Sequence, residues 1–165
     1  MRTFAAAVIG LMLLGSSAHA DEEDEGAKAY FEKDYGKALK ILEPLADNGN
    51  WDAEALLGMM YSNGEGVAQN YTLSFKYYRD AARFGHPGAM HDLAVLYSNG
   101  QGVPQDYFHA YVWFSLSAAT AASPDLRRYA VKARDEEAAL LTPSQLLKAQ
   151  ELARRCQKSE FEDCD

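Results

Sequence analysis

The tightest constraint on this chain is a repeat. Tyr61-Ser62-Asn63-Gly64-Glu65-Gly66-Val67-Ala68-Gln69-Asn70-Tyr71 returns 36 residues later as Tyr97-Ser98-Asn99-Gly100-Gln101-Gly102-Val103-Pro104-Gln105-Asp106-Tyr107, with 8 of 11 positions identical. A fixed period of this size marks stacked supersecondary units, each too small to bury its apolar face alone. Carried backward, the same offset aligns Tyr35 with Tyr71 and Tyr107, Ala46 with Ala82 and Ala118, and Gly49 with Gly85. The repeat therefore starts ahead of its most recognisable part.

Periodicity supplies the helices of each unit. From about Trp51 to Ser62, Ala53, Leu57, Met60 and Tyr61 fall on one stripe, matched by Ala89, Leu93, Leu96 and Tyr97; three-and-four spacing makes that stripe core. Gly58 and Ala94 beside it let a neighbouring helix approach. A second helix carries Ser74, Tyr77, Tyr78, Ala81 and Ala82, then Ala110, Trp113, Phe114, Ser117 and Ala118, aromatics and small residues of the kind that pack stacked helices. Ahead of them, Gly26 to Asn50 reads as a leading helix pair, with a kink or early loosening expected before Pro44, which lacks an amide donor.

The duplicated loops have a mechanical reading. Gly64 and Gly100 stand where a left-handed residue closes a helix, Gly66 and Gly102 permit a second unusual backbone angle, and Asn70 and Asp106 are placed to cap the next helix. No strand precedes the glycines and no lysine follows, so a nucleotide loop is not indicated.

After Ala122 the pattern changes. Ser123-Pro124 opens a charged helix, and Thr142-Pro143-Ser144-Gln145 opens another with a capping box. Two atypical helices at the end of a stack read as its cap. The expected divisions are an acidic tail over 21–25, the leading pair over 26–50, repeats over 51–86 and 87–122, capping helices over 123–158 and an acidic tail over 159–165.

The ends bear on location. Arg2, an apolar run from Phe4 to Leu14 and Ala18-His19-Ala20 form a secretory signal, with cleavage expected between Ala20 and Asp21. The 11-residue run is too short for a membrane span. Cleavage would leave 15 basic residues against 24 acidic, a charge of −9 that repels nucleic acid. An exported chain whose two cysteines are Cys156 and Cys164 is expected to pair them and so tie down the tail, with pairing inside one chain or between two left open, as is the oligomeric state.

The run Leu57-Gly58-Met59-Met60-Tyr61, Gly64-x-Gly66-Val67-x-Gln69-x-Tyr71 and Tyr77-Tyr78-x-x-Ala81-Ala82-x-x-Gly85 resembles the Sel-one-like repeat, a relative of the tetratricopeptide repeat. Its second copy matches more closely, through Pro104-Gln105-Asp106-Tyr107 and Trp113-Phe114. The resemblance implies an α/α solenoid, a right-handed superhelix of antiparallel helix pairs, acting as an adaptor for envelope or signalling proteins. The leading pair has a short turn more like a plain tetratricopeptide unit. Some secreted relatives carry a cysteine pair in each repeat and are linked to β-lactam binding or hydrolysis; here both cysteines lie outside the repeats.

Two functions from different classes follow. As a non-catalytic scaffold in the bacterial periplasm or outside the cell, the chain would hold a protein or peptide partner on the outer stripe of the first helices: Asp52, Ala55, Met59, Ser62, Asn63, His91, Val95, Ser98 and Asn99. As a β-lactam or cell-wall hydrolase it would need a serine beside a base, for which Ser98 near His91 is the candidate. His86 reads as a helix cap, and its five-residue spacing from His91 does not place both imidazoles on one face for a metal. No cofactor is expected.

Overall fold

The computed structural model describes residues 15–161 and Cys164, with side chains from Glu22 onward. Eight helices and no strand occur among these residues: α1 (Gly15–Phe31), α2 (Tyr35–Asp47), α3 (Trp51–Asn63), α4 (Tyr71–Arg83), α5 (Pro87–Asn99), α6 (Tyr107–Thr120), α7 (Pro124–Ala138) and α8 (Pro143–Lys158). Consecutive helices pack on one another from α1 to α7. The odd-numbered ones also touch in series, α1 with α3, α3 with α5 and α5 with α7. This is the expected solenoid of helix pairs.

Local signals set the boundaries. Asn50, Asn70, His86, Asp106, Ser123 and Thr142 cap their helices by accepting a backbone N–H bond two or three residues ahead. Gly64 and Gly100 close α3 and α5 in the left-handed region, at φ 72° and 66°. The two glutamines of the motif brace the same ends: Gln69 Nε2 donates to the Ser62 carbonyl and Gln105 Nε2 to that of Ser98, both at 2.8 Å.

The second glycine of each loop meets two demands at once. Gly102 has φ 74°, and a Cβ there would collide with the carbonyl of Tyr71 at the start of α4. Gly66, at φ 75°, rests likewise on Tyr35 at the start of α2. Each loop thus sits on the preceding unit. Glu65 reinforces the first seat, accepting hydrogen bonds from the hydroxyls of Tyr30 at 2.9 Å and Tyr35 at 3.1 Å. Burial and this carboxylate raise the pKa of both phenols.

Burial follows the predicted stripes. Ala53, Leu57, Met60, Ala89, Leu93 and Leu96 are buried, and the Tyr78 ring lies against the bare α-carbon of Gly58. Two apolar cores result. One joins α1, α2 and the first-unit face of α3 through Leu42, Leu45, Leu57 and Met60. The other runs from Ala55 and Tyr78 through Met90, Trp113 and Leu116 to Cys156 and Cys164.

Two expectations need correction. The acidic run over 21–25 is not a solvated tail but part of α1: Glu23 accepts a hydrogen bond from Asn50 at 2.7 Å, and Glu25 pairs with Lys37 at 2.8 Å. The early loosening expected over 40–44 does not occur: α2 continues through Pro44 to Asp47, and the Pro44 carbonyl accepts from the Asn48 side chain at 2.8 Å. Helix α8 packs back on α6, at the end of the stack. The expected pairing of the cysteines is present within the chain: Cys164 is buried in a disulfide with Cys156, and the turn after α8 lays Phe161 over Gly85. The signal reading over 1–20 lies outside the described residues, apart from the helical backbone of 15–20. Among described residues no helix is long and apolar enough to cross a membrane.

Candidate functional site

Two cavities line up along the odd-numbered helices and share Met59. The first, of about 380 Å³, lies between α1 and α3, with Glu23, Asp24, Asp52, Ala55 and His86 in its wall. The second, of about 270 Å³, lies between α3 and α5, with Ser62, Asn63, Asp92, Val95 and Gln101. Helix geometry explains the shared wall: Asp52, Ala55, Met59 and Ser62 recur at three-and-four spacing on one face of α3.

Six of the nine residues expected to bind a partner meet here: Asp52, Ala55, Met59, Ser62, Asn63 and Val95. Three do not. His91 turns toward α6, its ring edge-on to Phe114 at 5.2 Å and its Nδ1 3.0 Å from Asp92. Ser98 donates its hydroxyl to Glu137 of α7 at 2.6 Å. Asn99 stays exposed at the loop, its amide 3.4 Å from Gln101. Helix α6 of the same unit and α7 beyond the repeat claim the side chains at this end. The serine–histidine pair that a hydrolase would use is thereby engaged elsewhere.

Asp92, Gln101, His86, Glu23 and Asp24 line the groove without having been expected to. The repeat itself held one of these: the 36-residue offset that joins Val95 to Met59 leads back to Glu23. Classing 21–25 as a tail hid it.

The groove is acidic. Neither α3 nor α5 carries a lysine or arginine. Burial and then the neighbouring Glu23 carboxyl push the Asp52 pKa up to about 6. His86 accepts the Ala89 N–H at Nδ1 (2.8 Å) and holds Nε2 3.4 Å from Asp52, while burial lowers its pKa. That arrangement fixes the neutral tautomer with its proton on Nε2, facing the carboxylate. Among the described residues no cluster of His, Cys, Asp and Glu is arranged to hold a metal ion.

The comparisons agree with this architecture. The chain matches the Sel1 repeat family at residues 22–50, 51–86 and 87–119. The first match takes in the leading pair, set apart above as tetratricopeptide-like. No curated protein matches by sequence. Among solved structures, a protective antigen of uropathogenic Escherichia coli strains displaying an SLR fold superposes with a TM-score of 0.78 at 25% identity, over 88% of this chain and 31% of its own. A Sel1 repeat protein from Oxalobacter formigenes gives a TM-score of 0.58 at 22% identity, over 71% of this chain and 54% of its own. The chain thus spans about a third and about half of these neighbours. Such folds are typical of protein–protein interaction scaffolds. With three consecutive matches that cover most of the solenoid, the chain belongs to the Sel1 repeat family.

Proposed function

We propose that the chain is an exported, non-catalytic scaffold of the bacterial envelope that holds an extended segment of a partner protein along α1, α3 and α5. The observation that carries this reading is the pair of neighbouring cavities that share Met59 in their walls, with apolar points at Met59 and Val95 and polar ones at Ser62 and Asn63. A peptide lying there would gain affinity by burying side chains at the apolar points, and the polar groups would fix its register. Export is supported by the leader pattern and by the Cys156–Cys164 disulfide, a bond that persists in oxidising compartments.

Site-specific photocrosslinking in the producing cell tests the assignment. A photoreactive residue in place of Met59 or Val95 should give a discrete adduct, and the same residue in place of Lys76, exposed on α4, should not. Equal crosslinking from Lys76 would move the binding surface off the groove.

A further inference from the structure

Away from the groove, a cavity of about 630 Å³ opens where α3, the end of α4 and the C-terminal turn meet. Glu54 lines it. This residue is only 7% exposed, and its Oε2 is buried with no hydrogen-bond partner among the described residues. The other charges have counterparts. Asp80 lies 3.3 Å from Lys76 and 3.9 Å from Arg79, and Arg83 and Glu160 contribute one charge of each sign. Of the carboxylates in this wall, Glu54 is the one with a buried oxygen that lacks a donor among the described residues. Two aromatic rings complete the wall: Phe84, 64% exposed, and Phe161, held by the disulfide-closed turn.

The next unit shows what this place holds when it is only packing. At the 36-residue offset Glu54 becomes Met90, Asp80 becomes Leu116 and Arg83 becomes Ala119, and Met90 and Leu116 are buried. The polar set therefore belongs to one unit, not to the repeat.

We propose that this cavity binds a primary ammonium group carried on an apolar stem, the ammonium donating to Glu54 and the stem lying between Phe84 and Phe161. A buried carboxylate without a donor is costly, and an ammonium supplies both donor and counter-charge. Phenyl faces attract a cation as well as its methylenes. Burial, and then the Asp80 carboxylate, push the Glu54 pKa up to about 7, against a smaller opposing effect of Lys76. Binding then requires the ionised form, so affinity rises with pH through that value. Among the described residues, the charged groups around Glu54 are Lys76, Arg79, Asp80 and Arg83 from α4 and Glu160 from the C-terminal turn.

The source of the ammonium is either a free amine or a lysine side chain of another protein. Calorimetry on the disulfide-intact chain distinguishes them with 1,5-diaminopentane, Nα-acetyl-lysine methylamide and, as uncharged control, the Nε-acetylated form of the latter. Both charged probes should bind one per chain, and the control should not. Tighter binding of the diamine assigns the site to free amines, and tighter binding of the lysine derivative assigns it to protein side chains. Affinity should fall about tenfold between pH 8 and pH 6 as Glu54 takes up its proton. Glu54→Gln should weaken binding by about tenfold or more, the effect of losing a charged hydrogen bond. Phe84→Ala, at an exposed position, should weaken it severalfold without unfolding the chain, which keeps the test decisive if the Gln variant does not fold. Absence of binding by both charged probes, or unchanged affinity in a folded Glu54→Gln, would overturn the proposal.

Discussion

At the scale of single residues, the glycines of the loop separate two physical demands. Gly100 needs a left-handed backbone, whereas Gly102 needs that and room for the Tyr71 carbonyl. Gly100→Ala should cost about 1 to 2 kcal/mol from backbone strain. Gly102→Ala should cost more than that, because main chain and not a flexible side chain stands in the way. Gly36→Ala serves as the reference: it lies in α2 with nothing within 4 Å of the added methyl, and should stabilise by about 0.5 to 1 kcal/mol. Urea unfolding of the three variants would show the order, and equal losses for Gly100→Ala and Gly102→Ala would remove the seat from the explanation. The left-handed angles were legible in the sequence, since a Gly-x-Gly after an amphipathic helix has few other uses. The collision partner was not, because it lies in another unit.

At the scale of elements, legibility tracks locality. Caps such as Asn70, Asp106 and Thr142 bond to residues two or three away, so their types and spacing suffice to identify them. His91 and Ser98 are engaged away from the groove for the converse reason: Phe114 and Glu137 lie 23 and 39 residues further along, on α6 and α7, beyond the reach of local spacing. Helix α8 is the element whose placement depends most on a covalent bond. Its disulfide closes a short loop, for which the chain-entropy model gives about 2.6 kcal/mol. Cys164→Ser should therefore lower stability by up to about that amount and release Phe161 from Gly85. Hydrogen exchange should quicken at the end of α8 and the α4–α5 turn while α1 and α2 stay as protected as before. Faster exchange in α1 and α2 as well would mean that the staple holds the whole stack.

At the scale of the whole molecule, two cores meet across one helix. Leu57 and Met60 of α3 belong to the first and Ala55 to the second. In a stack whose units touch only their neighbours, stability is a sum of unit and interface contributions and openings can be partial. The smaller core holds no buried aromatic of the kind that Trp113, Phe114 and Tyr97 give the other, only partly buried tyrosines at its edge. Amides of α1 and α2 should exchange through an opening of lower free energy than those of α5 and α6, measured by native-state hydrogen exchange across a denaturant series. Leu42→Ala, at a fully buried site, should widen the gap by about 2 to 5 kcal/mol. A single common opening energy for all helices would show that the two cores unfold as one.

The seating of each loop on the unit before it also makes the stack extensible. Gly66 rests on Tyr35 and Gly102 on Tyr71, and these tyrosines stand at equivalent places one period apart. A 36-residue segment copied in frame brings with it both a plug for the socket already present and a fresh socket for the plug that follows. Lengthening by tandem duplication therefore needs no new joint, and the groove would grow by one unit with every copy.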